Sequence, residues 1–455
     1  MAVLFSLSQR QKLSDRETIK LIFSSYLAAI VISALILMTP ACSKIDLSFV
    51  DAIFTSSSAI SCTGLIVKST GNDFTFFGQF IILLIIQLGG FGYMSLAILL
   101  AIAIGKKLSF TDRMILKESY EYPTMQGVVR LLIRIFQYML FVELVGALFL
   151  SARFAFDMPP IDAVWNGIFH AVSAFNNAGF SLFDSSMIGY KGDIFMNFFI
   201  CLLIIIGGLG YMIIFELLFY RQKLVPKLTP YAKIVLISSF ALIALGAFLF
   251  FSLEHYNPKT LGNLTYLEQF LSSIFASVNL RTSGFNSLDL SGASDSTLFF
   301  STIFMLIGGA PASTAGGIKI TTFVVLGVTA WFFLKGEPSP ILYKRVIPQE
   351  TIYKALSIVM VTIFYISIST IIIVEIEQKD FTRTFFEIIS AFATVGISTG
   401  DGNVASYSNL FSDFSKILLA IIMFMGKVGV LTFSAIILGK PIKKNIQYPE
   451  GKIIL

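Results

Sequence analysis

The chain has 455 residues, of which 56% are hydrophobic and only 13% are charged, and its formal net charge is +6. Soluble domains carry about 25% charged residues, so this composition excludes a soluble globular protein and a disordered chain. The three cysteines are scattered without a CxxC pair, which also excludes a secreted disulfide scaffold. With a mean hydropathy of +0.82, the chain is predicted to cross a membrane several times.

Eight apolar runs are long enough to cross the membrane core, which takes about 20 helical residues. In chain order they cover residues 21–38, 80–104, 128–150, 195–219, 234–251, 298–334 (interrupted), 352–375 and 417–438. Two thirds of the 33 Lys and Arg residues lie at the N-terminus, in every second loop and at the C-terminus. Because basic residues accumulate on the cytoplasmic side, we predict an all-α integral protein of the cell membrane with both termini in the cytoplasm. The net positive charge is then explained by the orientation of the chain in the lipid membrane, and we predict no nucleic-acid partner.

Four segments of the chain share one plan, which is a span, a short apolar stretch that ends near a glycine, a polar loop and a second span. The glycines are Gly64, Gly179, Gly284 and Gly396, and their separations of 115, 105 and 112 residues are each close to a quarter of the chain. Glycine pairs recur in the second spans at a similar distance after them. The sequence therefore predicts four repeats, at 21–105, 127–220, 231–334 and 351–439, between cytoplasmic tails at 1–20 and 440–455.

The apolar stretch before each of these glycines is too short to cross a membrane. The four stretches cover residues 51–60, 163–175, 267–278 and 382–393. As helices they would rise only about 15–20 Å, roughly half of the hydrocarbon core. Irregular backbone survives at membrane depth only where it is buried in protein or lines a water-filled path. We therefore predict four re-entrant pore helices in addition to the eight transmembrane helices, arranged as helix–pore loop–helix units around one pore.

Turns of this kind can supply the ligands that a dehydrated monovalent cation needs. Rings of backbone carbonyl oxygens replace the hydration shell without burying charge, and glycine tolerates the positive φ that aims carbonyls inward. The run Thr394-Val395-Gly396 matches the core of the potassium-channel filter sequence. The predicted ion-binding residues are Cys62, Thr63, Gly64, Asn177, Ala178, Gly179, Thr282, Ser283, Gly284, Thr394, Val395 and Gly396.

With these motifs and the run Gly308-Gly-Ala-Pro-Ala-Ser-Thr-Ala-Gly-Gly-Ile-Lys319, the chain resembles the Ktr/Trk/HKT superfamily of potassium transporters over nearly its whole length. It is most similar to the KtrB type of pore subunit. The resemblance implies potassium uptake without enzymatic activity, with K⁺ as the transported ion and Na⁺ as a candidate for coupling. It also implies a homodimer and a cytoplasmic ring of KtrA-type RCK subunits, which would bind the nucleotide because this chain has no nucleotide motif. A glycine at the first filter position, Gly64, is similar to the potassium-selective members.

The sixth apolar run contains a segment that cannot remain helical through lipid without compensation. It comprises Gly308, Gly309, Ala310, Pro311, Ala312, Ser313, Thr314, Ala315, Gly316 and Gly317. We predict an intramembrane loop that gates the pore on its cytoplasmic side, and a passive hinge is the alternative. Lys427 is a charge within the last span, and the resemblance implies that it faces this loop as a positive barrier where the family usually has Arg. Lys lacks the bidentate geometry of Arg, which leaves the strength of the barrier open.

Other interpretations also remain open. A proton relay through Glu143, which lies within a predicted span, would make the chain a proton-coupled secondary cation transporter. The basic loops at 106–117 and 335–345 are candidate docking surfaces for the RCK ring, although positive-inside charge explains them equally well. His170 and His255 stand 85 residues apart without carboxylate companions, so the sequence predicts no metal site other than K⁺ in the filter and no nucleophile–base pair.

Overall fold

The computed structural model describes residues 15–92, 95, 98–99, 102, 127–223, 226–337, 339–402, 405–430 and 433–434. The predicted C-terminal tail, most of the N-terminal tail and the basic loop at 106–117 lie outside these residues. Within them, the secondary structure is helical apart from one antiparallel hairpin, formed by β1 (Ile341–Leu342) and β2 (Arg345–Val346). The all-α fold class predicted from the sequence is therefore confirmed.

The helices group into four repeats, each with a first helix, a short helix and a second helix. Repeat 1 contains α1 (Asp15–Leu37), α2 (Phe49–Ser61) and α3 (Phe76–Phe91), and repeat 2 contains α4 (Val128–Phe154), α5 (Pro160–Phe175), α6 (Ile194–Gly208) and α7 (Tyr211–Arg221). Repeat 3 contains α8 (Pro230–Glu254), α9 (Tyr266–Asn279), α10 (Asp295–Leu306) and α11 (Ile320–Leu334), and repeat 4 contains α12 (Gln349–Glu377), α13 (Phe381–Phe392) and α14 (Asp413–Val428). The short helices α2, α5, α9 and α13 have 13, 16, 14 and 12 residues and lie over the four predicted stretches.

The first helices of repeats 2 to 4 differ in length from the other apolar helices. Among the described residues, α4, α8 and α12 are each long and apolar enough to cross a membrane, with 27, 25 and 29 residues. The pair α6 and α7 passes the same test together but is bent by 102°. Shorter apolar helices complete the set in α1, α3, α10 and α11.

The second helices of repeats 1, 2 and 4 each break near a glycine. These helices lie within the apolar runs predicted at 80–104, 195–219 and 417–438. Gly92, Gly210 and Gly429 follow α3, α6 and α14 with φ angles of +83°, +87° and +95°. A left-handed residue cannot continue a right-handed helix. The sequence did not predict these breaks, because average hydropathy does not register a single residue whose backbone angles end a helix.

Other glycines bring the second helices against the short helices. Each of three glycines in the second helices contacts the carbonyl oxygen of the residue that lies four positions before the repeated glycine of its own repeat. These glycines are Gly89, Gly207 and Gly426, and a β-carbon at any of them would overlap that oxygen. The same contact therefore recurs in three repeats. The role in close helix contact that small residues have in membrane proteins is confirmed for the glycine pairs of repeats 1 and 2.

A side chain at the end of the first helix holds the start of the second helix in repeats 2, 3 and 4. The Arg153 guanidinium lies 2.5 Å from the carboxylate of Asp193, which caps α6. At the equivalent places, Glu254 and Glu377 accept hydrogen bonds from the hydroxyl of the serine that caps the second helix, at 2.8 and 2.5 Å. These contacts fix the angle between the two long helices of each repeat.

The first and last repeats are joined by a buried ion pair. Lys416 of α14 donates to Asp51 of α2 at 2.9 Å, and Lys68 lies 3.6 Å from the other oxygen of the same carboxylate. The Ser57 hydroxyl also donates to the carbonyl of Ala420 at 3.0 Å. Repeat 4 therefore packs against repeat 1, and the four repeats close into a ring whose short helices lie inside.

Candidate ion pathway

Each short helix is followed by a turn that ends in one of the four repeated glycines. We call these the glycine turns, and they comprise residues 62–64, 177–179, 282–284 and 394–396. The first residue of each turn has a φ of +54°, +54°, +77° and +51° in chain order, and the glycine has a φ of +98°, +69°, +82° and +83°. A left-handed residue other than glycine costs about 1–2 kcal/mol, and such strain persists mainly at functional sites. All four repeats hold this strain at the same place although their tripeptides differ.

Backbone hydrogen bonds tie the glycine turns of repeats 1, 2 and 4 to their short helices. The N–H groups of Thr63, Ala178 and Val395 donate to the carbonyl five residues earlier, at 2.8, 2.8 and 2.9 Å. This bond is typical of a helix that ends in a left-handed residue. The helix end therefore sets the conformation of each turn.

Repeat 3 reaches the same turn with a different side chain. The Asn279 side-chain oxygen accepts from the Phe285 N–H at 3.1 Å and from the Ser283 hydroxyl at 2.5 Å. In repeat 1 the corresponding support comes from Ser58, whose hydroxyl accepts from the Gly64 N–H at 3.1 Å. Asn279 was not predicted as a site residue, although repeat 3 lacks the Ser that precedes the glycine by six residues in the other three repeats.

The four glycine turns meet around one axis. A β-carbon built on Gly64 would lie 2.7 Å from the carbonyl oxygen of the residue before Gly179, and one built on Gly179 would lie 2.7 Å from that of the residue before Gly284. One built on Gly284 would lie 3.0 Å from the carbonyl oxygen of the residue before Gly396, and one built on Gly396 would overlap that of the residue before Gly64. The contacts run through repeats 1, 2, 3 and 4 and back to repeat 1. The turns thus form a closed ring of backbone in which no side chain fits.

A cavity of about 380 Å³ opens on one side of this ring. All four repeated glycines line it, together with hydroxyl and amide side chains that follow them in sequence, such as Ser181, Asn286 and Ser398. Asp184 and Asp289 contribute carboxylates farther from the ring. A polar, acidic entrance of this kind raises the local concentration of cations.

The segment from Gly308 to Gly317, which we call the 308–317 loop, lies on the opposite side of the ring. It replaces the middle of the second helix of repeat 3, between α10 and α11. A β-carbon on Gly316 would overlap the hydroxyl of Thr394, and one on Gly317 would lie 3.2 Å from the Cα of Ala393. The loop therefore packs directly against the start of the glycine turn of repeat 4.

Backbone hydrogen bonds anchor the 308–317 loop to the break between α6 and α7. Ala310 donates to the Gly208 carbonyl at 3.1 Å, and the Tyr211 N–H donates to the Ala312 carbonyl at 3.2 Å. Thr314 donates to the Gly207 carbonyl at 3.4 Å. The break in the second helix of repeat 2 thus frees the backbone groups that bind the loop, which satisfies polar groups of both segments.

Two lysines bind carbonyl oxygens of the same loop. Lys427 of α14 donates to the Thr314 carbonyl at 2.7 Å, and Lys319 donates to the Ala315 carbonyl at 2.6 Å. Lys427 is therefore in contact with the 308–317 loop, the place that the resemblance implied for it.

Glu143 lies behind the glycine turn of repeat 2. Its two carboxylate oxygens accept from the side-chain amides of Asn176 and Gln87, both at 2.9 Å, and the Asn176 amide also donates to the Gln87 side-chain oxygen at 2.8 Å. Asn176 directly precedes the turn. Glu143 and Gln87 thus hold the end of α5 from the side that faces away from the cavity.

The TrkH family of cation transport proteins matches residues 3–446 of the chain. The chain belongs to this family. It is 36% identical to the Ktr system potassium uptake protein B of Bacillus subtilis over 94% of both chains, and 35% identical to the protein of that name from Vibrio alginolyticus over 96% of this chain and 94% of the relative. It is 33% identical to the potassium/sodium uptake protein NtpJ of Enterococcus hirae over 98% of both chains.

A solved structure has the same fold. The crystal structure of the potassium transporter TrkH from Vibrio parahaemolyticus superposes with a TM-score of 0.76 at 18% identity, over 95% of this chain and 86% of that chain. This likeness confirms the fold, and the family match and the two relatives named potassium uptake protein B confirm the resemblance to the Ktr/Trk group and to the KtrB type that the sequence predicted.

Proposed function

We propose that the chain is the ion-conducting membrane subunit of a potassium uptake system and has no enzymatic activity. The observation that carries this proposal is the closed ring of four glycine turns, in which a backbone carbonyl oxygen of a neighbouring turn occupies the space where a side chain on each glycine would lie. Carbonyl oxygens are the ligands that replace the hydration shell of K⁺ in selectivity filters. The relatives named as potassium uptake proteins B support K⁺ as the transported ion. A relative named for potassium and sodium uptake supports a test of Na⁺ coupling.

The 308–317 loop is the gate in this proposal. It packs against the ring on the side opposite the acidic cavity, and Lys427 places an ammonium 2.7 Å from one of its carbonyls. A monovalent cation that leaves the ring on this side would meet both the loop backbone and a fixed positive charge. The barrier would fall when the loop moves away from α14 and from the α6–α7 break.

The surroundings of the pore follow from charge and family. The bias of Lys and Arg supports a location in the cell membrane with both termini in the cytoplasm. The relatives are named as parts of Ktr systems, which supports a KtrA-type RCK ring as cytoplasmic partner, with nucleotide bound on that ring, and a homodimer of this chain. The hairpin of β1 and β2 overlaps the end of the basic stretch 335–345, where Tyr343, Lys344 and Arg345 are exposed. It is the described surface that we assign to this docking.

The test is uptake of ⁸⁶Rb⁺ into proteoliposomes that contain the chain, with and without the cytoplasmic ring, while Na⁺ and pH are varied separately. Uptake that persists at clamped pH and is blocked by excess K⁺ is the expected result. A dependence on Na⁺ would establish coupling. Uptake that vanishes without a proton gradient would favour a relay through Glu143 and would contradict passive passage through the ring.

A further inference from the structure

The short helices of repeats 2 and 4 each carry one polar side chain at the same position relative to the repeated glycine. His170 lies nine residues before Gly179, and Glu387 lies nine residues before Gly396. Both side chains are fully buried, at 0% exposure. A buried imidazole or carboxyl group is costly unless it is hydrogen-bonded, so the partners of these two groups show what they do.

Both groups bind the serine that lies two residues after the glycine. The His170 Nε2 lies 2.9 Å from the Ser181 hydroxyl, and the Ser398 hydroxyl lies 2.7 Å from the Glu387 Oε2. His170 Nδ1 lies 2.8 Å from the backbone carbonyl of Asn166, which can only accept, so Nδ1 carries the proton. The neutral ring then accepts the Ser181 proton at Nε2, as the carboxylate of Glu387 accepts the proton of Ser398.

Each serine oxygen in turn accepts from the backbone N–H two residues further along the chain. These bonds come from Phe183 to Ser181 at 3.0 Å and from Gly400 to Ser398 at 3.1 Å. Ser398 also accepts from the Tyr407 N–H at 2.7 Å. The two sites are therefore copies of one arrangement, in which a short helix is bound through a serine to the backbone just beyond its own glycine turn.

Repeat 4 has the stronger copy. The second oxygen of Glu387 accepts from the Ser408 N–H at 2.9 Å, so one side chain fixes two stretches of backbone beside the cavity. Repeats 1 and 3 have Thr55 and Phe275 at the corresponding position. Within the described part of the chain the buried Thr55 hydroxyl makes no hydrogen bond, so these two repeats lack the arrangement.

Because the contacts of the glycine turns run through repeats 1, 2, 3 and 4 in order, repeats 2 and 4 are opposite one another across the ring. Ser181 and Ser398 both line the cavity next to the glycines. A bond that ties each serine to its short helix sets how far the backbone of two opposing turns stands from the axis. In repeats 1 and 3 the corresponding residues are held from neighbouring loops instead: the Ile66 N–H donates to the Ser406 hydroxyl at 2.9 Å, and the Asn286 N–H donates to the Ser186 hydroxyl at 3.1 Å.

We propose that Glu387 and His170 are positioning residues that set the width of the ring in two opposing repeats and so set the preference for K⁺ over Na⁺. This inference rests on the proposed function of the ring as a filter. Neither residue touches the ion, and each acts through its serine. Glu387 has the larger effect because it holds two backbone segments.

The experiment measures the concentrations of K⁺ and of Na⁺ that half-inhibit ⁸⁶Rb⁺ uptake into proteoliposomes. The proteoliposomes contain the full chain and its cytoplasmic RCK partner. Their ratio does not depend on how much protein has folded. We expect Glu387→Gln to lower discrimination about tenfold, equivalent to about 1.4 kcal/mol, because an amide can accept only one of the two hydrogen bonds. We expect His170→Phe to lower it by a smaller factor.

Two further variants keep the test decisive if Glu387→Gln does not fold. Ser398→Ala removes the far end of the same contact and should reproduce the loss, and in the double variant the two losses should not add, as holds for groups in direct contact. Thr55→Val is the matched control, because it changes a buried hydroxyl without a hydrogen bond at the same position of repeat 1, and its ratio should equal that of the unmodified chain.

Gly64→Ser distinguishes failure of this inference from failure of the filter itself. If Gly64→Ser changes the ratio and both Glu387→Gln and Ser398→Ala leave it unchanged, the positioning role is refuted and the filter stands. If none of the three changes the ratio, the ring is not the selective element and both proposals fall. Equal losses from Thr55→Val and Ser398→Ala would also refute the inference, since any buried change would then act alike.

Discussion

A glycine-to-alanine series across the four glycine turns tests the ring most directly. All four glycines have φ angles between +69° and +98°, so an alanine at any of them costs about 1–2 kcal/mol of backbone strain. The positions differ in how closely the added β-carbon approaches neighbouring backbone atoms. At Gly284 the nearest atom, the Cα of Gly179, is 2.8 Å from the added β-carbon, whereas at Gly396 that carbon overlaps the Thr63 carbonyl oxygen.

The required displacement sets the size of each effect. Carbon and oxygen atoms in contact ordinarily lie about 3.3–3.6 Å apart. At Gly284 the Cα of Gly179, which stands 2.8 Å from the added carbon, must move by about 0.7 Å to reach the separation of about 3.5 Å at which carbon atoms pack. At Gly396 the Thr63 carbonyl must move by more than about 1 Å to reach the same separation. We expect Gly284→Ala to lose part of its ⁸⁶Rb⁺ flux and to have a weaker K⁺ preference, and we expect Gly396→Ala to lose most of its flux.

The assay is ⁸⁶Rb⁺ uptake per folded protein in proteoliposomes, together with the ratio of half-inhibiting Na⁺ and K⁺ concentrations. Gly402→Ala is the control, because Gly402 has a φ of +93° and no described atom lies within 4 Å of a β-carbon there. This variant has the strain without the overlap and should transport with unchanged preference. Flux of Gly396→Ala equal to that of the unmodified chain, or an equal loss in Gly402→Ala, would refute the reasoning.

Three further predictions concern the gate and the closure of the ring. Deletion of residues 312–315 removes the carbonyls that Lys427 and Lys319 bind and should raise ⁸⁶Rb⁺ flux; flux at or below that of the full chain, in folded protein, would exclude the gate. Lys427→Gln keeps a donor for the Thr314 carbonyl but removes the charge, and it should raise flux several-fold while Lys427→Arg does not. If both variants transport alike, the charge is not the barrier. Lys416→Met leaves Asp51 buried with only the 3.6 Å contact to Lys68, and breaking a buried pair costs about 3–5 kcal/mol. Its thermal unfolding in detergent should therefore occur at a lower temperature, and combination with Asp51→Asn should recover much of the loss. No change in melting for Lys416→Met would show that the pair does not close the ring.

Several elements follow from the sequence because they depend on local pattern and on repetition. The four short helices could be placed because a stretch of 12 to 16 residues cannot span the core, and the same plan recurs four times. The four repeated glycines could be predicted from the sequence because a turn with positive φ favours glycine at that position in every repeat. Composition alone located the 308–317 loop, since glycine and proline at that density do not remain helical.

Glu387 was missed although the repeats carry a signal for it. Aligned on the glycine, His170 and Glu387 both lie nine residues before it, and Ser181 and Ser398 both lie two residues after it. Neither pair is adjacent in sequence, so no local pattern links the two members. The glycine turn itself folds the chain back and brings them into contact.

The sequence by itself determined the class of protein, the fourfold plan, the short helices and the residues of the turns, because each depends on hydropathy, length or backbone preference within a short stretch. Only the tertiary structure decided that the second helix of repeat 2 breaks at Gly210, that the loop binds this break, and that Lys427 binds the Thr314 carbonyl of the loop. These contacts join residues about 100 or more positions apart. Their energy comes from satisfying backbone groups that a broken helix leaves free, and which groups meet is fixed only once the four repeats close into a ring.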